Sequence, residues 1–168
     1  MLLGCGDPKL CPTPVVDPGS FTIVRAEGDP FEANTSTSTA RCGESDTLIE
    51  LLNETQSLSI NTSGCNRLTV ETPLMQSLSS GESISIRIWH FALFDYQPTT
   101  GVVAVAFDDE TIWSQEIQLP TESGLLVPSV AMSKGVPSGT MVRWHVANHG
   151  SNSWNFVELT AMREGDCQ

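Results

Sequence analysis

The residues best suited to chemistry lie near the end of the chain, where hydrogen-bond donors are interleaved with tryptophan. The group comprises Arg143, His145, His149, Asn152 and Trp154. Sugar rings stack on the apolar face of an indole, and Arg, His and Asn side chains donate hydrogen bonds to hydroxyls. A few polar groups that orient a ligand over an apolar surface are typical of binding sites for small molecules. These residue types therefore favour a carbohydrate-binding surface.

The spacing of this group predicts two strands joined by a turn. In the run 141–149, the arginine and both histidines alternate with a Val-Trp-Val face. In the return run 154–162, we expect Leu159 and Ala161 to point into the core. Trp154 then has the opposite phase, so the hairpin places it outward beside the two histidines.

A further strand extends this surface. Between Ser83 and Phe94 the isoleucines share one phase and Arg87 and Trp89 share the other, so one face lies in the core and the other in water. The predicted ligand-binding residues are Arg87, Trp89, Arg143, His145, His149, Asn152 and Trp154. The structural alternative is a core position for the tryptophans and an ordinary turn position for Asn152.

The three histidines raise the alternative of a metal-dependent enzyme, which requires His90, His145 and His149 to converge. On a strand, His145 and His149 lie about 13 Å apart, and His90 has the phase of the buried isoleucines. The carboxylates at 108–110 form a weaker calcium alternative, although a polar hairpin turn explains them equally well. The sequence also lacks a Gly-x-Ser-x-Gly nucleophile motif. We therefore expect no metal, no cofactor and no catalysis.

The five cysteines predict where the protein resides. The segment LLGC, which ends at Cys5, matches the end of a bacterial lipoprotein signal whose cysteine thiol carries the lipid. The remaining four cysteines allow three pairings, of which we favour Cys42–Cys65 and Cys11–Cys167. Disulfides form outside the cytoplasm. The expected location is the cell envelope, periplasmic or at the cell surface, with the lipid as the only membrane attachment.

Composition narrows the possible partners and the number of domains. The chain has 168 residues, with 8 Lys and Arg against 20 Asp and Glu, and a formal net charge of −12. This charge repels nucleic-acid phosphates and anionic lipid surfaces, so we expect no nucleic-acid partner. The proline-rich residues 1–19 are expected to form the lipobox and a tether, and residues 20–168 a single domain.

The remainder of the chain alternates short β-branched and aromatic runs with turn residues. The segment 48–52 fits either a strand or a single helical turn, which Thr47 and Glu50 would open as a capping box. About eight short strands separated by turns predict an all-β fold. We expect an antiparallel β-sandwich of jelly-roll type, with little or no helix.

Several segments carry a resemblance to known proteins. CNRLTV at 65–70, GES at 81–83, WHFAL at 89–93 and NHGSNSW at 148–154 resemble an uncharacterised group of secreted lipoproteins of myxobacterial type. More loosely, residues 58–162 are similar to galactose-binding-like and carbohydrate-binding β-sandwich modules. The resemblance implies a sandwich fold and an extracytoplasmic location. It implies no reaction, and no ligand-binding residue transfers from it.

Together these observations predict a non-catalytic, lipid-anchored binding module of the surface or periplasm, with carbohydrate as the leading ligand class. The alternative is a structural or accessory envelope lipoprotein that binds a protein partner. An exposed patch of aromatic and polar side chains favours the first function. A flat apolar patch favours the second.

Overall fold

Short alternating strands divide the chain into two antiparallel sheets in the computed structural model, which describes residues 9–32, 40–52, 54–148 and 150–164. Twelve strands occur within these ranges. They are β1 (Leu10–Pro14), β2 (Thr22–Ile23), β3 (Thr47–Leu52), β4 (Thr55–Asn61), β5 (Arg67–Pro73), β6 (Ser83–His90), β7 (Thr99–Phe107), β8 (Glu110–Leu119), β9 (Gly124–Leu126), β10 (Ser129–Ala131), β11 (Met141–Ala147) and β12 (Ser153–Glu164).

The two sheets form a sandwich. Sheet A has the order β10-β6-β12-β4-β3, with β1 beside β12 and β9 beside β6, and sheet B has the order β2-β5-β11-β7-β8. From β5 to β7 and from β10 to β12, successive strands lie in alternate sheets, as in a jelly roll. The predicted antiparallel sandwich is confirmed. The strands outnumber the expected eight in part because β1 falls in the expected tether and β3 in the segment that also fitted a helical turn.

Helical structure in the described ranges is limited to short 3₁₀ turns, such as Pro18–Ser20 and Glu44–Asp46. The segment 48–52 lies in β3, paired with β4, so the strand alternative is correct and the helical turn is wrong. Among the described residues, no helix is long and apolar enough to cross a membrane.

The core lies between the inner faces of the sheets. The alternating isoleucines of β6 are fully buried, as predicted. Trp144 of β11 meets Phe156 of β12 across the sandwich, with ring centroids 5.5 Å apart. Truncation of a buried aromatic side chain typically costs about 3–5 kcal/mol. This aromatic contact is therefore a major element of the packing that holds the sheets together.

Part of the expected N-terminal tether belongs to the sandwich. β1 forms an antiparallel pair with β12, and Val15 and Val16 are buried in the core. The tether assigned to residues 1–19 is therefore wrong for residues 10–16. The two prolines of β1 are compatible with this position because an edge strand tolerates residues that lack an N–H donor.

The predicted bridge between Cys42 and Cys65 is confirmed, with a sequence separation of 23 residues. The backbone N–H of Cys42 donates to the carbonyl oxygen of Arg67 over 2.8 Å. The disulfide therefore fastens the segment before β3 to the beginning of β5.

Cys11 is also disulfide-bonded. The other two cysteines, Cys5 and Cys167, lie outside the described residues. The pairing of Cys11 with Cys167 and the lipid on Cys5 therefore stay predictions.

Replacing both Cys42 and Cys65 by alanine should lower the free energy of unfolding by about 3 kcal/mol, because the bridge restricts the unfolded chain. Urea unfolding of the two proteins under non-reducing conditions measures the difference. The circular dichroism spectrum of the folded variant provides the control for retained fold. Equal midpoints and equal slopes would show that the bridge contributes no stability.

Candidate functional site

The structure places the predicted ligand-binding residues in different layers. Arg87 and Trp89 lie on the outer face of sheet A, whereas Arg143 and His145 lie on the outer face of sheet B. Trp154 is in the core. The reason is that β11 and β12 do not pair: β11 pairs with β5 and β7, while β12 pairs with β4 and β6. The predicted single hairpin is therefore wrong, and the connection after β11 crosses between sheets.

A β-bulge in β12 reverses the predicted orientation of Trp154. The pairing with β6 shifts register between Phe156 and Glu158, and such a bulge inserts one extra residue that changes the phase of the strand. Leu159 points inward as predicted. Ahead of the bulge, Trp154 and Phe156 also point inward and are 0% exposed. Asn155, between them, faces outward.

Asn152 is buried and positions a loop. Its side-chain oxygen accepts from the Phe94 N–H over 2.6 Å, and its Nδ2 donates to the Phe94 carbonyl over 3.1 Å. Gly150, with φ of 88°, approaches the same carbonyl so closely that a Cβ would lie 2.0 Å from it. These contacts fix the connection 91–98 between β6 and β7. His149 lies outside the described residues.

His145 faces outward from β11 as predicted, but a chain segment covers it. The ring of Phe31 stacks on the imidazole with centroids 4.5 Å apart, and Thr69 Oγ1 lies 2.7 Å from Nδ1. Burial lowers the pKa of His145 to about 4, so the imidazole is neutral at neutral pH. The charged groups that face it are Asp29, Glu32, Arg41 and Arg67.

These charged groups pair with one another. Arg41 pairs with Asp29 and with Glu32 at 3.2 Å each, and Arg67 pairs with Glu32 at 3.0 Å. The hydrogen bond from Arg67 lowers the pKa of Glu32. These ion pairs hold residues 29–32, which include Phe31, on the outer face of sheet B. His145 is therefore buried and does not belong to an exposed ligand site.

At the end of the sandwich where β7 turns into β8, the acidic side chains are engaged within the protein. Asp108 accepts from the Met141 N–H over 3.1 Å, Asp109 pairs with Arg143, and Glu110 pairs with Lys134. The turn borders a pocket of about 1000 Å³ whose walls include Phe107, Ile112, Met132 and Val136. The calcium alternative gains no support from these carboxylates, because each already has a protein partner.

The histidines of the described ranges do not converge. His90 lies on the inner face of sheet A, where its Nδ1 lies 2.8 Å from the Phe91 carbonyl oxygen and its ring centroid lies 5.3 Å from that of Trp154. His145 lies on the outer face of sheet B. The zinc-enzyme alternative, which requires both in one site, is therefore wrong.

An aromatic and polar surface occupies the outer face of sheet A. Strand register aligns one residue from each of five neighbouring strands in a single row across the sheet. From one edge to the other, the row is Leu125, Trp89, Asn155, Ser59 and Leu48. At about 4.8 Å per strand the row is about 19 Å long. Together with Phe91, we call these six residues the aromatic face.

The geometry of the aromatic face suits a flat, partly apolar ligand. The rings of Trp89 and Phe91 are 4.3 Å apart and tilted by 56°. Phe91 is 49% exposed and Leu125 is 54% exposed. Arg87 flanks the row and pairs with Glu158 at 3.0 Å. The row itself contains no charged side chain.

The loop that follows Phe91 exposes two further aromatic residues, Phe94 at 59% and Tyr96 at 99%. Asn152 fixes this loop at Phe94, as described above. Solvent-exposed aromatic side chains that lie in one loop are a stronger indication of a binding site than single apolar residues scattered over the surface. The reason is that contiguous apolar surface marks binding sites.

Sequence reasoning identified Arg87 and Trp89 correctly as outward-facing but missed Phe91, Asn155 and Leu125. The signal for Phe91 was present, since it continues the odd-numbered phase of Arg87 and Trp89 beyond β6. No signal marked the bulge in β12, so Trp154 was assigned to the outer face and Asn155 was not recognised as a residue of that face. Leu125 joins the row only through the pairing of β9 with β6.

No protein-family model and no curated protein matches this chain. The fold is similar to the mannan-recognising carbohydrate-binding module TmCBM27, with TM-score 0.50 and 10% identity over 85% of this chain and 98% of that one. A xylan-binding CBM22-1 domain from Paenibacillus barcinonensis gives 0.47 and 8% over 96% and 100% of the two chains. A Clostridium thermocellum xylanase with CBM22-1 and GH10 modules gives 0.46 and 12% over 97% of this chain and 30% of that one. The likeness at 0.50 supports the sandwich fold. The myxobacterial resemblance stays a prediction.

The buried His145 should make stability depend on pH. Because its pKa is lowered from 6.5 to about 4, the unfolded chain binds a proton that the folded chain does not. The contribution of the neutral His145 to the free energy of unfolding is therefore fully present above pH 6.5. It falls as the pH decreases toward 4, by up to about 3 kcal/mol. Urea unfolding from pH 7.5 to 4 measures this loss. In His145→Gln that component should be absent, while the neighbouring carboxylates titrate in both proteins. Parallel pH curves for the two proteins would contradict a neutral, buried His145.

Proposed function

We propose that the protein is a non-catalytic carbohydrate-binding module and that sugar binds on the aromatic face. The observation that carries the proposal is the Trp89–Phe91 ring pair, of which Trp89 is half-buried and Phe91 exposed, in a row with Asn155 and Ser59. Sugar C–H faces stack on aromatic rings, and amides and hydroxyls bond to the hydroxyls at the edge of the ring.

The charges of the protein narrow the ligand class to neutral sugars. The row across sheet A has no charged member, and the flanking Arg87 is paired with Glu158. The net charge of −12 repels anionic polysaccharides. The length of the row, about 19 Å, provides space for more than one sugar ring.

The fold likeness to a mannan-recognising module is compatible with this function. It does not indicate which sugar is bound, because at 10% identity the likeness concerns the fold alone. The assignment of ligand class therefore depends on the side chains of the aromatic face.

We also propose that lipid on Cys5 holds the protein on the cell envelope, in the periplasm or at the surface. Support comes from the LLGC segment and from the disulfides, which require an oxidising compartment. Because β1 begins at Leu10, only a few residues separate Cys5 from the folded body. The sandwich would therefore lie close to the membrane.

A protein partner is the second candidate, and β3 favours it. Leu48, Ile49 and Leu51 are 60%, 41% and 71% exposed on this strand, which is at the edge of sheet A. Exposed apolar edge strands are prone to pair with another chain. In this case the protein would be an accessory subunit of an envelope assembly.

Trp89→Ala should weaken glycan binding by roughly tenfold or more, because the loss of ring contact removes buried apolar area. A glycan array identifies the ligand, and isothermal titration measures the affinity. Trp113→Ala is the matched control, since Trp113 is the half-buried tryptophan of β8 in sheet B and should leave the affinity unchanged.

Two results would argue against this site. Equal affinity of Trp89→Ala and the wild type would place the sugar elsewhere. A folded, oxidised wild type that binds no glycan would favour the protein-partner function, and Leu51→Lys would then test β3. Trp154→Ala is unsuitable for locating the site, because loss of this core side chain should destabilise the fold by about 3–5 kcal/mol.

A non-reduced peptide digest tests the lipid and the second disulfide together. We expect a cross-linked peptide pair that contains Cys11 and Cys167, and a Cys5 peptide that carries a lipid mass when the protein is expressed in a bacterium with its complete signal. Mass spectrometry detects both products. The Cys42–Cys65 peptide pair serves as the internal control. A Cys5–Cys11 cross-link would exclude the lipid anchor.

A further inference from the structure

The middle residue of the aromatic face has an unusual environment. Asn155 is 0% exposed although it lies on the outer face of its sheet. Within the described part of the chain, its Oδ1 is buried and has no hydrogen-bond partner. Among the residues that the structure describes, its Nδ2 makes one long contact of 3.4 Å, to the backbone oxygen of Trp89. Buried polar groups are normally paired, so an unpaired amide oxygen requires an explanation.

The described ranges contain one other buried polar side-chain atom without a partner, Trp144 Nε1, and its environment differs from that of Asn155. Trp144 points between the two sheets, where no outside ligand reaches it. Asn155 points away from the core, and its neighbours in the row are Trp89 on one side and Ser59 on the other. Each neighbour is one strand spacing away, about 4.8 Å. Asn155 is therefore the direct cross-strand neighbour of Trp89, the residue on which the sugar would stack.

We propose that Asn155 is the specificity-determining residue of the aromatic face, an inference that rests on the proposed function. Because Asn155 is 0% exposed in the free protein, the side chains that cover its amide move aside when a sugar stacks on Trp89. One sugar hydroxyl then donates to Oδ1, and a neighbouring hydroxyl accepts from Nδ2. An amide presents an acceptor and a donor side by side, so it matches two adjacent free hydroxyls on one sugar ring. The ligand class is therefore a neutral glycan with such a pair next to its stacked face.

The β-bulge in β12 fits this role. Without the register shift between Phe156 and Glu158, the strand could not direct both Trp154 and Leu159 into the core. The shift leaves Asn155 on the ligand side, and bulges commonly redirect side chains at functional sites. A polar side chain that has no partner in the free protein lowers the free energy of unfolding. The same side chain can stabilise the complex when a ligand supplies its hydrogen-bond partner.

Asn155→Leu tests the proposal because leucine has a similar size and no polar atom. We expect its melting temperature to equal or exceed that of the wild type, since an unpaired buried group is removed. We expect its affinity to fall at least tenfold. The full-length oxidised chain is titrated with a panel of neutral manno-, xylo- and gluco-oligosaccharides. Thr160→Val is the matched control on the same strand and face, remote from the row, and should retain full affinity.

A second measurement uses the wild type alone. Monodeoxy analogues of the best oligosaccharide remove one hydroxyl at a time. We expect two analogues, lacking adjacent hydroxyls, to bind at least tenfold more weakly than the parent, because the amide atom of Asn155 that met the lost hydroxyl is left unpaired. This result remains informative even when Asn155→Leu fails to fold.

The possible outcomes separate this inference from the proposed function. Loss of binding in Trp89→Ala with full binding in Asn155→Leu leaves the site in place and overturns the role of Asn155. A lower melting temperature with unchanged affinity in Asn155→Leu also overturns it, and indicates an internal water that bonds to Oδ1. Equal affinity for all monodeoxy analogues overturns the two-hydroxyl contact. A folded wild type that binds no member of the panel overturns both proposals.

Discussion

The single extra residue in β12 determines which side chains of this strand form the core and which meet the solvent. β12 is the longest strand and pairs with β1, β4 and β6, so its phase influences most of sheet A. The register shift after Phe156 lets both halves of the strand contribute apolar side chains to the core. The same shift places Asn155 on the outer face beside Trp89. Core packing and the candidate binding surface therefore depend on one backbone irregularity.

The two outer faces of the sandwich differ in how far other parts of the chain cover them. On sheet B, Phe31 and the ion pairs of Arg41 and Arg67 with their acidic partners fasten a chain segment over His145. The disulfide from Cys42 to Cys65 fixes the chain next to Arg41 near the start of β5 in the same sheet. On sheet A, the Trp89–Phe91 pair stays partly exposed. Sheet B is thus covered around His145, whereas sheet A presents a partly exposed aromatic pair to solvent.

Much of the fold could be predicted from local pattern. The alternation in β6 correctly assigned the isoleucines to the core and Arg87 and Trp89 to the surface, and the hairpin of β7 and β8 followed from its acidic turn. The bridge between Cys42 and Cys65 was also predicted correctly. Such features depend on residues that are close in sequence or that alternate regularly. For that reason they can be predicted from the sequence alone.

The sequence by itself determined that this chain forms an antiparallel β-sandwich of alternating strands with an acidic, disulfide-bridged body. Only the tertiary structure decided that β11 and β12 lie in different sheets, that His145 is covered and Trp154 buried, and that residues 10–16 join the sandwich. The physical reason is that strand pairing, a bulge and the burial of an outward-facing residue all depend on long-range contacts. Period-two alternation gives the two faces of a strand, but the neighbouring strands and covering segments decide what each face meets.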